Sequence, residues 1–440
     1  MKFSRRNFIK AASVATIGSM IPTGNIISAE PARSSNSDTL RIGLIGCGGR
    51  GSGAAEEALN ADPNVALVAM ADAFSDHLEA SYKRLKEKYP QKVQVSTNMK
   101  FVGLDSYQKL IDSDVDVVLL AAPPAFRPAH LEYAVNAGKH IFCEKPFAVD
   151  GPGLRRVIMA AQKAKEKNIS LVSGFCWRYH LPKRETFERI LNGQIGEILT
   201  AEATYNTGEL WFKERQNGWS DMEYKLRNWL YYNWLSGDHI VEQAIHSLDM
   251  LQWGMGDALP VSVTGSGGRQ KRTDKKFGNV YDHFAVTYEY SNGAKAYFSC
   301  RQQNGTSPAY GVEFVGKEGE CVIDCRTGVH EIKGAHPWKY NDETKFTDEN
   351  AYKKTKSRGM YQQEHDELFA SIRNNNPIND GEWMTRSNLV ALAGRMAAYT
   401  GQTISCEQAL CSMETLFPEP ISWNTKYDLA IAVPGITLFK

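Results

Sequence analysis

The chain has 440 residues, 42% of them hydrophobic and 23% charged, ordinary proportions for a folded chain long enough to hold two cores. Its 51 lysines and arginines stand against 50 aspartates and glutamates, and a net charge of +1 gives no electrostatic basis for nucleic-acid binding or for an anionic membrane surface. Beyond the N-terminus no apolar run is long enough to span a bilayer.

At the N-terminus, Ser4-Arg5-Arg6-Asn7-Phe8-Ile9-Lys10 precedes a weakly apolar stretch from Ala11 to Ile21, and Ile27-Ser28-Ala29 offers a small-residue cleavage site. That order is the order of an export signal, and the paired arginines resemble a twin-arginine signal. The expectation is export by the twin-arginine route to the periplasm, with residues 1–37 as signal and spacer. No cysteine near the end of the apolar stretch suggests a lipid anchor.

From Leu40 to Ser173, short β-rich runs alternate with helical patterns. The runs are Leu40 to Ile45, Val65 to Ala71, Val93 to Ser96, Val115 to Ala121, His140 to Cys143 and Ser170 to Ser173. Helical stretches such as Asp76 to Lys88, Ala129 to Ala137 and Leu154 to Lys165 lie between them. This alternation predicts a doubly wound, Rossmann-type parallel sheet over residues 38–173.

The first run passes directly into Gly46-Cys47-Gly48-Gly49-Arg50-Gly51. Gly46, Gly48 and Gly51 fit G-x-G-x-x-G: a tight turn, close approach to a pyrophosphate, and close helix–strand packing. Gly49 and Arg50 lie in the same loop, and the N-terminus of the following helix directs backbone N–H groups at phosphates. The second run ends at Asp72, about 20 residues past the last glycine, where a carboxylate accepts from ribose hydroxyls and repels a 2′-phosphate. These residues predict a nicotinamide dinucleotide site, for NAD rather than NADP.

Pro123 and Pro124 end the fourth run, and Ala137-Gly138-Lys139-His140-Ile141-Phe142-Cys143-Glu144-Lys145-Pro146 carries the next. With its Glu-Lys-Pro tripeptide after an AGKH turn, this segment resembles the Gfo/Idh/MocA family of sugar and cyclitol oxidoreductases. The resemblance extends from Leu40 to about Thr400. It implies a second α/β domain with a large open sheet, usually a dimer or tetramer contact. It also implies Pro123 and Glu144 as cofactor contacts, with Glu144 near the nicotinamide ribose and Lys145 beside the nicotinamide ring. An ammonium there would stabilise an alkoxide or carbonyl oxygen during hydride transfer. Gly174-Phe175-Cys176-Trp177-Arg178-Tyr179-His180-Leu181-Pro182 is similar to the family's junction segment, making Arg178 a cofactor contact or a brace of the crevice.

After Phe175 the pattern becomes one of alternation. The runs Ile198 to Tyr205, Val261 to Gly265, Tyr281 to Tyr290, Ala294 to Cys300, Gly311 to Val315 and Glu320 to Ile323 predict a mostly antiparallel sheet in residues 174–440. Helices are predicted at His180 to Asn192 and Ile240 to Gly254, a long loop at Lys333 to Arg358, and helices at Gln362 to Arg373 and Ser387 to Tyr399, the last of these packing back on the first domain. Trp211, Phe212, Trp219, Tyr224, Trp229, Tyr231, Tyr232 and Trp234 crowd one segment, and flat rings suit sugar C–H faces. Trp219 and Arg227 are candidate substrate contacts there, with Lys213 beside them.

Glu242, His246 and Asp249 are spaced i, i+4, i+7, one face of a helix. By the resemblance His246 is the general base on the substrate hydroxyl, a role that suits an imidazole titrating near neutrality. Glu242 is its catalytic partner, although an aspartate is commoner there. Lys145 and His246 thus serve both chemistry and substrate binding. The spacing of His239, Glu242 and His246 is not that of a zinc helix, and no metal is expected. Of the eight cysteines, Cys406 and Cys411 are the best-placed pair for a disulfide.

Two activities fit. One is an NAD-dependent dehydrogenase acting on a secondary alcohol of a sugar or glycoside. The other is an NAD-dependent glycosidase that oxidises transiently, eliminates, hydrates and returns the hydride, which suits an exported protein carrying its cofactor with it. A cofactor-binding protein without chemistry would not need Lys145 and His246 together.

Overall fold

The computed structural model describes residues 38–340 and 359–440. The export-signal reading of residues 1–37, and most of the long loop expected at 333–358, lie outside the described residues.

Six parallel strands form the first sheet: β1 (Leu40–Ile45), β2 (Val65–Asp72), β3 (Lys100–Val102), β4 (Val117–Leu120), β5 (His140–Cys143) and β6 (Leu171–Ser173), in spatial order β3-β2-β1-β4-β5-β6. Their residues are apolar almost throughout because helices cover both faces: Gly49–Ala61, Ser75–Lys88, Ser106–Ile111, Arg127–Asn136 and Gly151–Glu166. Strand order reverses between β1 and β4, and ligands of such sheets bind outside the carboxyl ends of the strands at that point.

The second sheet has eight strands: β7 (Ile198–Thr207), β8 (Ser262–Gly268), β9 (His283–Glu289), β10 (Lys295–Gln302), β11 (Ala309–Gly316), β12 (Gly319–Asp324), β13 (Val329–Gly334) and β14 (Trp338–Lys339). The order is β14-β13-β12-β11-β7-β10-β9-β8. All pairings are antiparallel except β7 with β10. Phe284, Val286 and Tyr288 of β9 and Ala296, Phe298 and Cys300 of β10 face the core, while Leu199, Tyr297 and Val315 are exposed. The helix Gly381–Thr400 packs against β8 and also against Gly151–Glu166, so it belongs to both layers.

Several elements differ from the sequence reading. Val93 to Ser96 is not a strand: Val93 forms one bridge with Leu67, and the sheet edge is completed by β3. The helix expected at Ile240 to Gly254 is two, His239–Glu242 and Ile245–Gly254. The stretch after Lys333 contains the end of β13 and all of β14. Cys406 and Cys411 are not bridged, and all eight cysteines are free thiols.

Candidate active site

A cavity of about 750 Å³ opens at the carboxyl ends of β1 and β4. Gly46, Gly48, Gly49, Arg50, Gly51, Asp72 and Pro123 all line it. Gly46 has φ +94°, and a Cβ there would lie 2.6 Å from the Ala121 carbonyl carbon and the Ala122 nitrogen. A Cβ on Gly51 would lie 1.8 Å from the Gly46 oxygen, so both positions exclude any side chain. At Gly48 and Gly49 nothing stands within 4 Å of where a Cβ would be, which leaves the backbone open to a phosphate at the start of the helix Gly49–Ala61. The loop therefore fits the pyrophosphate of a dinucleotide.

Asp72 shapes that loop as well as lining the cavity. Its Oδ2 accepts from the Cys47 N–H at 2.6 Å and its Oδ1 from the Phe74 N–H at 2.8 Å. Burial raises this carboxyl above its ordinary value, against the pull of those two N–H donors.

The wall beyond Asp72 comes from the distant segment around residues 211–229. Trp211, Lys213, Leu226, Arg227 and Trp229 line the cavity alongside Phe74 and His77. Arg227 donates to both carboxylate oxygens of Asp76 at 2.9 Å and to Glu223 at 3.0 Å, and its guanidinium lies 3.9 Å from the Phe74 ring centroid and 4.8 Å from that of Trp219. The Lys213 ammonium is 3.1 Å from His77 Nε2. The polar edge of Arg227 is committed to carboxylates and its guanidinium faces Trp219; Arg227 lines the Asp72 end of the dinucleotide cavity, whereas Trp219 does not line it.

Lys145 follows β5. Its Nζ donates to the Glu242 main-chain carbonyl at 2.8 Å and lies 3.7 Å from Glu242 Oε1. His246, one helix on, is buried, with its ring 5.0 Å from Trp177 and 6.1 Å from Phe175. Its Nδ1 has no hydrogen-bond partner among the described residues. Burial foremost, with the Lys145 and Lys183 ammoniums, holds the imidazole well below its ordinary 6.5. Burial thus favours the neutral imidazole, where the sequence predicted a ring titrating near neutrality. The structure brings Lys145, Glu242 and His246 together, but as neighbours across a helix break rather than as one helical face.

Asp249 and Arg178 have another task. Arg178 Nε and Nη2 donate to Asp249 at 3.1 and 2.9 Å, and Nη2 donates to Asp257 at 2.7 Å. The guanidinium is sandwiched between Trp253 and Trp383, and Ser387 donates to Asp249 at 2.7 Å. Arg178 is thus a brace between helices, its Nε and Nη2 committed to Asp249 and Asp257 and its Nη1 lying 3.4 Å from Asp257. Arg50 and Glu144 also pair with each other, Nε to Oε1 at 3.0 Å, and Glu144 Oε2 accepts from the Lys145 N–H at 3.1 Å.

Three residues that the sequence did not single out complete the surroundings. Asn388 Oδ1 accepts from the Phe147 and Ala148 N–H groups at 2.7 and 3.2 Å and pins the loop after Lys145; Arg127 holds the Pro146 carbonyl. Lys183, 3% exposed, lies 5.1 Å from the Trp177 ring, and burial lowers its ammonium. Asn388 is 241 positions from Phe147, a separation at which no local pattern survives.

Residues 40–171 match a profile described as an oxidoreductase family, NAD-binding Rossmann fold, and residues 184–322 match the GFO/IDH/MocA C-terminal domain. The chain is 28% identical over 299 residues to an inositol 2-dehydrogenase of Rhizobium meliloti, 68% of this chain and 74% of that one. It is 27% identical over 203 residues to the 2,7-anhydro-N-acetylneuraminate hydratase of Escherichia coli, 46% of this chain and 50% of that one. Of that relative, and of an uncharacterised oxidoreductase of Streptococcus pneumoniae (30% identity over 42% of this chain and 47% of that one), the chain spans about half the length. Among solved structures, the aldose-aldose oxidoreductase of Caulobacter crescentus complexed with glycerol superposes with TM-score 0.64 at 18% identity, over 83% of this chain and 99% of that one. The WlbA dehydrogenase of Bordetella pertussis, in complex with NADH and UDP-GlcNAcA, also gives 0.64, at 20% identity over 84% and 98%. A glycine cradle at the switch point of a parallel sheet, a lysine at the end of β5 and an open antiparallel second sheet agree with both profiles: the chain belongs to the Gfo/Idh/MocA family of NAD-binding oxidoreductases.

Proposed function

We propose that the protein transfers a hydride between NAD and a secondary alcohol carbon of a sugar or glycoside. The observation that carries this reading is the Lys145 ammonium, fixed at 2.8 Å from the Glu242 carbonyl, with the neutral imidazole of His246 on the adjoining helix. When bound, NAD supplies the hydride acceptor. His246 takes the hydroxyl proton, and Lys145 holds the oxygen as its charge changes. The inositol dehydrogenase and the sugar-nucleotide-bound dehydrogenase among its relatives support a polyol or sugar as substrate.

A second reading has its own support. Arg227, Lys213, Trp211 and Trp229 enclose the Asp72 end of the cavity, an arrangement suited to a cofactor that stays bound through many turnovers. A retained NAD is recycled in a redox-neutral reaction, and one relative is named as a hydratase. On this reading the protein is a glycosidase: oxidation at one carbon acidifies the neighbouring C–H, the aglycone leaves, water adds and the hydride returns. Export by the twin-arginine route, as the first residues suggest, fits a protein that carries its cofactor with it. The exposed Leu199, Tyr297 and Val315 on the outer sheet face support a homodimer or homotetramer built on that sheet.

The purified protein is assayed for retained NAD and then given aryl glycosides without added cofactor. Release of the aryl group with no net reduced nicotinamide establishes the glycosidase. A keto-sugar together with reduced nicotinamide establishes the dehydrogenase. If a broad panel of sugars and glycosides yields neither, both readings fail.

A further inference from the structure

Beneath the dinucleotide loop, the helix Gly359–Arg373 packs on the helix Gly49–Ala61 and encloses a group of ionisable side chains that the proposed reaction does not use. Glu57, Glu364 and His365 each present one ligand atom, and the three atoms lie within 4.8 Å of one another. Glu364 and His365 are 0% exposed. Neither oxygen of Glu364 and neither ring nitrogen of His365 has a hydrogen-bond partner among the described residues. The nearest approach is His365 Nε2 to Glu57 Oε2, at 3.6 Å. Buried polar atoms are rarely left unsatisfied, and several at one point indicate something bound there.

The charges give the same answer. Glu57, Glu144 and Glu364 surround a single guanidinium, that of Arg50, which pairs with Glu57 and with Glu144. Three carboxylates share one arginine in an enclosed space, where an unpaired buried charge is costly and a bound cation would compensate it. We propose that Glu57, Glu364 and His365 bind a divalent transition cation of the Zn²⁺ or Mn²⁺ type. One imidazole nitrogen and two carboxylate oxygens form a donor set that such ions accept. Arg50, which donates to the same Glu57 oxygen that faces His365, orients that ligand as outer-shell partners do. The ion ties the late helix to the dinucleotide helix, while Arg50 and Glu144 link it to the Lys145 loop. Its role is structural, because the ligands are enclosed and do not line the dinucleotide cavity.

The test is the metal content of the purified full-length protein by plasma mass spectrometry, followed by chelator treatment and titration with Zn²⁺ or Mn²⁺. Roughly one equivalent of ion per chain is expected, with a rise in melting temperature on readdition. Glu364→Gln, nearly the same shape without the charge, and His365→Ala are expected to lose more than nine-tenths of that content and the thermal response. If His365→Ala does not fold, Glu57→Gln takes its place. A stripped wild-type protein that takes up neither ion, or uptake unchanged in the folded variants, overturns the proposal in favour of a cluster neutralised by protons.

Discussion

In the proposed reaction two side chains, Lys145 and His246, carry the chemistry. The depressed pKa of His246 has a clear sign: the imidazole loses its proton at lower pH than a free histidine, so the base form persists as the solution is acidified. The profile of kcat/KM against pH is therefore expected to show no acid limb at 6.5, the ordinary histidine value. A limb at that pH, removed by His246→Gln, would show that the ring titrates freely. Lys145 was legible in the sequence because Glu144-Lys145-Pro146 and the glycine loop are local patterns at the ends of strands. The role of Arg227 was not, and Arg178 was legible only as one of two readings, cofactor contact or brace. A sequence shows that a guanidinium is available but not that Asp249, Asp257, Asp76 and Glu223 already occupy it.

Among the elements, the break between His239–Glu242 and Ile245–Gly254 matters most. Asp238, at φ +70°, accepts from the His239 N–H at 2.6 Å and closes a single turn. The Gln243 and Ala244 N–H groups then both point to the His239 carbonyl, and the His246 N–H goes to Gln243. The Glu242 carbonyl is thereby spared its helical partner and accepts from Lys145 instead. A regular i, i+4, i+7 spacing carries no mark of this, because the cause is Asp238 accepting from Tyr281 N–H and Tyr399 O–H across the fold. The misplaced third strand has a similar origin. Val93 and Val95 are β-branched and buried, yet the chain turns away at Thr97–Met99 before a ladder can form. The brace is open to test. Asp249→Asn leaves Arg178 with an incomplete partner set and is expected to cost about 3–5 kcal/mol in denaturant unfolding. A loss below about 1 kcal/mol would mean that the brace does little for stability.

Across the whole molecule, both sheets and their strand types could be read from alternation, whereas the closure of the cavity could not. Arg227 reaches Asp76 across 151 positions. The C-terminal tail adds Trp423 against Phe74, and Phe417 against Phe126 and Trp234, contacts with no local periodicity to announce them. If this wall retains the cofactor, Arg227→Ala should speed NAD loss in a dilution experiment by about 5- to 30-fold, the factor carried by one to two kcal/mol. An unchanged rate would leave the enclosed cavity without a retaining role.

Hydride transfer at Lys145 is tested most directly by single-turnover absorbance of the bound nicotinamide, on a substrate that the sugar and glycoside panel identifies. On mixing with the protein carrying NAD, reduced nicotinamide should appear, transiently or lastingly. Lys145→Ala should keep NAD bound and slow that signal by about 10²- to 10⁴-fold. Product formation with no reduced nicotinamide on the timescale of turnover, or a Lys145→Ala protein as fast as the wild type, would contradict it.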